Sequence, residues 1–140
     1  MRYCVLFLCY FLAQHLNAQT LHIQISGLRN NLGQVQIQFF TSKESFDEEI
    51  PAFSKLAPKA ALVKGILNVT YTNIPSGTYG VAILDDENSN KKMDYGLLLP
   101  KEGFGFSDYY HRGMSRPDYN KFKFTLGKEL KSVQIKVRYM

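Results

Sequence analysis

Leu21-His22-Ile23-Gln24-Ile25-Ser26-Gly27-Leu28-Arg29-Asn30-Asn31-Leu32-Gly33-Gln34-Val35-Gln36-Ile37-Gln38-Phe39 decides the fold. Apolar Leu21, Ile23 and Ile25 alternate with polar residues, and Val35, Ile37 and Phe39 do the same. A period of two puts successive side chains on opposite faces of an extended chain, so each segment predicts a strand with one buried face. The Gly27–Gly33 stretch is rich in turn formers, and it predicts that the two strands form a hairpin.

The pattern continues outward. Leu67, Val69 and Tyr71 share one side of a segment from Ile66 to Tyr71. Lys64-Gly65 predicts a turn after a short strand near Ala60–Val63. Pro75-Ser76-Gly77 predicts a turn into alternating Tyr79, Val81 and Ile83. Phe122, Phe124 and Leu126 alternate next, Gly127-Lys128 turns, and Val133, Ile135, Val137 and Tyr139 run to the end. Seven one-faced strands bury their apolar sides most simply as two stacked sheets. The expected fold is therefore all-β, an antiparallel sandwich of about seven strands, immunoglobulin-like or transthyretin-like, with one long loop. Ser42–Leu56 is the one helix candidate, with Phe46, Ile50 and Phe53 at helical spacing and Pro51 limiting it. Lys121, Lys123, Lys136 and Arg138 fall on the polar sides of the last two segments. If those pair, they form a basic face for an anionic envelope polymer or a solvated sheet face that discourages edge pairing.

The N-terminus has another character. Met1-Arg2-Tyr3 is short and basic, Cys4 to Ala13 is apolar, and small Ala18 follows. That order predicts a secretory signal over 1–18 and a sandwich domain over 19–140. The apolar run is shorter than the about 20 residues a spanning helix needs. Cleavage removes Cys4 and Cys9, the two cysteines of the chain. The mature protein then has no disulfide, thiolate ligand or cysteine nucleophile, and its destination is the periplasm, the outer cell surface or the extracellular space. The 17 basic and 12 acidic residues contain no block of five or six like charges, which argues against a nucleic-acid partner. An envelope polymer or another exported protein is the partner class left open.

Chemistry concentrates between Leu84 and Tyr119. Counting from Asp86 as position one, oxygen-bearing side chains fall at three (Asn88), five (Asn90) and nine (Asp94), and the Lys92 carbonyl at seven. Alternate oxygens of a tight turn converge on one ion in calcium loops of the EF-hand type. Position twelve is Leu97 instead of glutamate. Lys91 occupies the sixth position, where a left-handed backbone favours glycine. A calcium loop and an Asx-rich turn that bonds its own backbone are the two readings. Further on, Phe104, Phe106, Tyr109, Tyr110 and His111 form either a ligand-binding loop or a plug for one end of the core. No nucleophile elbow, phosphate loop, dinucleotide fingerprint or zinc spacing occurs. The expectation is a non-catalytic exported module, structural or ligand-binding. The alternative is a polysaccharide hydrolase working through Asp85, Asp86, Glu87 and Glu102.

Four landmarks stand in order: Asn73-Ile74-Pro75-Ser76-Gly77-Thr78-Tyr79, Asp86-x-Asn88-x-Asn90-x-x-x-Asp94, Pro100-Lys101-Glu102-Gly103-Phe104-Gly105-Phe106-Ser107 and Arg116-Pro117. In these the chain resembles the exported bacterial family catalogued as domain of unknown function 2141, from about Leu21 to Tyr139. The resemblance implies a sandwich and export, and no activity. Lys91 departs from it, because the family usually has glycine there.

Overall fold

The computed structural model describes residues 19–140. The expected signal peptide, with Cys4 and Cys9, lies outside the described residues. Eight strands are present: β1 (Thr20–Ser26), β2 (Gln34–Phe40), β3 (Phe53–Pro58), β4 (Leu67–Thr72), β5 (Gly77–Asp86), β6 (Gly103–Phe106), β7 (Lys123–Leu126) and β8 (Lys131–Lys136). One short helix, α1 (Lys43–Asp47), and two 3-10 turns, Lys59–Ala61 and Tyr119–Lys121, complete the regular structure among the described residues. One sheet has the order β4-β1-β8. The other runs β3-β2-β5-β6, with β7 also on β5. Inward side chains of both sheets, among them Leu21, Ile23, Ile25 and Ile135 opposite Val35, Ile37, Phe39 and Val81, form one core. The fold is a β-sandwich.

Pairing departs from the expectation in three places. First, β1 and β2 are not a hairpin: β1 lies between β4 and β8, while β2 lies between β3 and β5. Alternation tells which face is buried, not which strand lies alongside. The Gly27–Gly33 connection is longer than a hairpin turn and carries the chain from one sheet to the other. Second, β1 and β8 run parallel, from Leu21 opposite Lys131 to Ser26 opposite Lys136. Third, β7 and β8 belong to different sheets, so no shared basic face forms. Arg138 instead donates to the carbonyls of His111 (2.9 Å) and Gly113 (2.7 Å) and pins that loop.

The helix is shorter than expected. Ser42 caps α1, its Oγ accepting the Ser45 N–H while Ser45 Oγ accepts the Ser42 N–H, a reciprocal capping box. Phe46 is its buried residue, but Ile50 is exposed and Phe53 begins β3. Strand pairing wins there because Phe53 lies opposite Phe39 and stacks on it at 4.4 Å. The segment near Ala60 is a 3-10 turn, although Lys64-Gly65 does turn the chain, bridging Val63 and Ile66.

β5 is buried on both faces. Tyr79, Val81 and Ile83 face the main core. On the outer side a second cluster of Phe40, Phe46, Ala82, Phe106, Tyr119 and Phe122 covers the sheet. Gly80 permits this, since a Cβ there would stand 2.6 Å from both the Phe122 and Tyr119 rings. In β6 the glycines face inward. A Cβ on Gly105 would meet Ile135 Cγ2 at 2.6 Å and the Lys136 carbonyl at 2.9 Å, and the carbonyl is fixed backbone. Gly105→Ala is therefore expected to destabilise by about 1–3 kcal/mol through overpacking. Gly127→Ala, with nothing within 4 Å, should stay within about 0.5 kcal/mol. Urea denaturation of the two variants checks the difference.

Candidate functional site

The site begins where β5 ends. Asp85 and Asp86 are both fully buried and point to opposite sides. Asp85 turns to the core side, pairs with buried Lys59 and accepts the Tyr139 hydroxyl at 2.6 Å. Asp86 serves the following turn. Its Oδ1 accepts the Asn90 N–H (3.0 Å), and its Oδ2 accepts the Lys91 N–H (2.9 Å) and the Gln34 side-chain amide (3.0 Å). Asn88 Oδ1 accepts from Asn90 N, and Asn90 Oδ1 from Lys92 N. Asp94 closes the turn by accepting from Asn88 Nδ2 (2.6 Å) and Asn90 Nδ2 (3.0 Å). Ser89 (φ 58°) and Lys91 (φ 63°) both adopt the left-handed backbone, the second as its position in a calcium-type loop requires.

Asp86, Asn88, Asn90 and Asp94 are thus brought together, with Lys92 entering through its N–H. The bonds they make are those of an Asx-rich turn. Among the described residues no three Asp, Glu, His or Cys side chains form a ready metal cluster.

One participant in the turn reads from the sequence only as a hydrolase carboxylate. Glu102 is buried, its Oε1 accepting the Glu87 N–H and its Oε2 the Asp94 N–H, each at 3.2 Å. It therefore clasps both ends of the turn. Burial pushes its pKa up, the Asp94 N–H opposes that, and the charges of Asp94 and Asp86 add to the rise. Counting to position twelve leads to Leu97 instead. Tyr95–Pro100 folds out as a small turn of its own, and Lys101 N–H returns to the Asp94 carbonyl at 2.8 Å. The available signal was the acidic residue opening Glu102-Gly103-Phe104-Gly105-Phe106-Ser107.

The four carboxylates of the hydrolase alternative are all engaged internally: Asp85 with Lys59, Asp86 with backbone, Glu102 with backbone, and Glu87 with Arg29 at 2.6 Å. Held in these bonds, they are not a free pair facing a cleft.

Of the two readings of the aromatic stretch, the plug, in which Phe104 and Phe106 close one end of the core, is not what forms. Phe106 lies in the outer cluster with Phe104 and Tyr109 packed against it, because the glycines of β6 take the inward positions. Phe104, Phe106 and His111 line an open hollow of about 650 Å³ on the outer face of the five-stranded sheet, together with Gln36 and Gln38 of β2. His111 Nε2 bonds the Ser115 carbonyl, and its Nδ1 has no hydrogen-bond partner among the described residues. Tyr109 and Tyr110 are not part of the hollow's lining. Tyr110 is exposed, flanked by Lys136 with its ammonium 5.3 Å from the ring.

No curated protein and no solved structure matches the chain. Residues 23–134 match the family described as "Uncharacterized protein conserved in bacteria (DUF2141)". The match runs from within β1 into β8 and takes in the Asp86–Asp94 turn, Glu102 and the aromatic stretch, and the chain belongs to that family.

Proposed function

We propose that this protein is an exported, non-catalytic β-sandwich module, structural or ligand-binding, whose Asp86–Asp94 turn is stabilised by calcium. Glu102 carries the reading. A buried carboxylate clasps both ends of a turn whose other carboxylates, Asp86 and Asp94, already crowd it. Calcium takes six to eight hard oxygens, and a divalent ion relieves such crowding. Asp86, Asn88, Asn90, Asp94 and the Lys92 carbonyl supply oxygens, and Glu102 takes the role of the glutamate absent at position twelve. Asn88 and Asn90 now turn their amide nitrogens to Asp94. Rotating each amide exchanges those donors for oxygens. The engagement of every loop carboxylate in internal bonds supports a non-catalytic role. Export rests on the basic, apolar and small-residue order of 1–18. Among the described residues no helix is long and apolar enough to cross a membrane.

Calorimetric titration with a parallel melt tests the calcium assignment. Millimolar calcium should raise the melting temperature, and magnesium should do less because it demands tighter octahedral geometry. Asp94→Asn should abolish the rise while leaving the metal-free melt near wild type. Asp86, being buried on three donors, is a poorer probe. Lys91→Gly should bind more tightly, having lost a positive charge and a left-handed non-glycine residue. Absence of binding heat for both wild type and Lys91→Gly overturns the calcium reading and leaves an Asx-rich turn.

A further inference from the structure

Gly96-Leu97-Leu98-Leu99 forms a tight turn, in which the Gly96 N–H donates to the Leu99 carbonyl at 2.7 Å and Tyr95 bridges Pro100. The apex of such a turn favours Gly, Asn or Asp, which tolerate its backbone or bond to it. Here the apex is Leu97-Leu98, 98% and 85% exposed. Turn formation does not call for two leucines, and leaving them in water is unfavourable. Exposed Tyr95 and Met114 extend the apolar tip.

Lysines dominate the charge around the tip. Lys91 and Lys92 line one hollow with Leu98 and Leu99, and Lys101 lines another with Leu97. All three lysines are exposed, and none is in an ion pair among the described residues. The neighbouring carboxylates are engaged: Asp86 and Glu102 are buried, Glu87 is held by Arg29, Glu49 pairs with Arg116, and half-buried Asp94 accepts from the Asn88 and Asn90 amides.

We propose that this tip docks on an anionic lipid surface, with Leu97 and Leu98 entering the apolar edge of the bilayer and Lys91, Lys92 and Lys101 resting on the lipid phosphates. Charge complementarity selects that occupant, since a collar of free lysines around a projecting apolar tip matches phosphate above hydrocarbon. Shape agrees. A protein partner needs a broad patch of about 800 Å² on each side, whereas a two-leucine apex projects and offers little flat area. The inference goes beyond the module reading and does not require calcium.

The chain has no tryptophan, so Leu98→Trp places a single reporter at the apex of the full-length protein. Because the reporter senses only the apex, any contribution from residues 1–18 is common to all samples. In chelator, its emission should shift to the blue on vesicles of phosphatidylglycerol and phosphatidylcholine, and brominated lipid should quench it. Vesicles of phosphatidylcholine alone should give little shift. Adding Lys91→Glu, Lys92→Glu and Lys101→Glu should weaken anionic binding at least about 100-fold, each lysine near the surface being worth about fivefold. A reporter left in water by anionic vesicles overturns the proposal, as does an equal shift on neutral ones. A shift that grows with protein concentration without vesicles also overturns it, and identifies a second copy of the chain as the occupant.

Discussion

Lys59→Met is expected to cost the fold about 3–5 kcal/mol, measured as the loss of unfolding free energy in urea. Lys59 and Asp85 form an ion pair whose side chains are both fully buried. Lys59 Nζ also donates to the Asn30 carbonyl (3.3 Å) and side chain (3.2 Å). Asp85 accepts the Tyr139 hydroxyl, which in turn accepts the Arg29 N–H at 3.2 Å. Burial and the bond to Asp85 hold the Tyr139 pKa well above the ordinary tyrosine range, so it remains a donor. This network joins four separate segments: the β1–β2 connection, the turn after β3, the end of β5 and the C-terminal segment. Methionine keeps the apolar stem of Lys59 and removes the charge, so the loss reports an unpaired buried Asp85 and not a cavity. Lys59→Met with Asp85→Leu removes both charges and should cost much less than the sum of the single changes, because neither desolvation penalty remains. A Lys59→Met cost within about 0.5 kcal/mol, that of an ordinary surface change, would mean the pair is not desolvated.

This pair marks a boundary of what the sequence discloses. Which side of a strand is buried was legible, because one inward face imposes a period of two: Leu21, Ile23, Ile25, Val133 and Ile135 are all buried as expected. Which strands pair was not, because neighbours along an edge are chosen through backbone groups that every residue carries. Hence the parallel β1–β8 pair and the separation of β7 from β8 required the structure. β3 was hidden because Phe46, Ile50 and Phe53 happen to fit a helical period. β6 was hidden because its core-facing residues are glycines, while its phenylalanines point outward. β5, buried on both sides, showed only half its pattern. Within the site, Asp86 to Asp94 stood out by local spacing. Glu102 did not, because its return depends on the intervening Tyr95–Pro100 turn. Nothing in the local pattern around Lys59 marks it as buried.

Phe122→Ala is expected to destabilise by about 3–5 kcal/mol, and it tests how the second cluster contributes. Alternation places Phe122 in register with Phe124 and Leu126, which face the main core. The structure instead seats it, 1% exposed, on the outer side of β5. Its ring lies 4.9 Å from Phe46, 5.0 Å from Phe106 and 5.5 Å from Tyr119, centroid to centroid. Those partners come from α1, β6 and the Tyr119–Lys121 turn, so one ring gathers three elements that share no sheet edge with one another. A buried hydroxyl fixes the position further: Ser107 Oγ donates to the Phe122 carbonyl at 2.6 Å and accepts the Val81 N–H at 3.0 Å. Alanine leaves these bonds available but opens a space lined by aromatic edges, which rigid neighbours fill poorly. Lys123→Ala, at the adjacent exposed position, should change stability by less than about 0.5 kcal/mol. The form of the transition matters as much as its midpoint. Gly80 and Ala82 meet the outer cluster while Tyr79, Val81 and Ile83 meet the core, so β5 transmits any loss on one side to the other. One cooperative transition with a lowered midpoint is therefore expected for Phe122→Ala. An early separate transition, with the main one unmoved, would make the outer cluster a detachable layer and not a second core of the same unit.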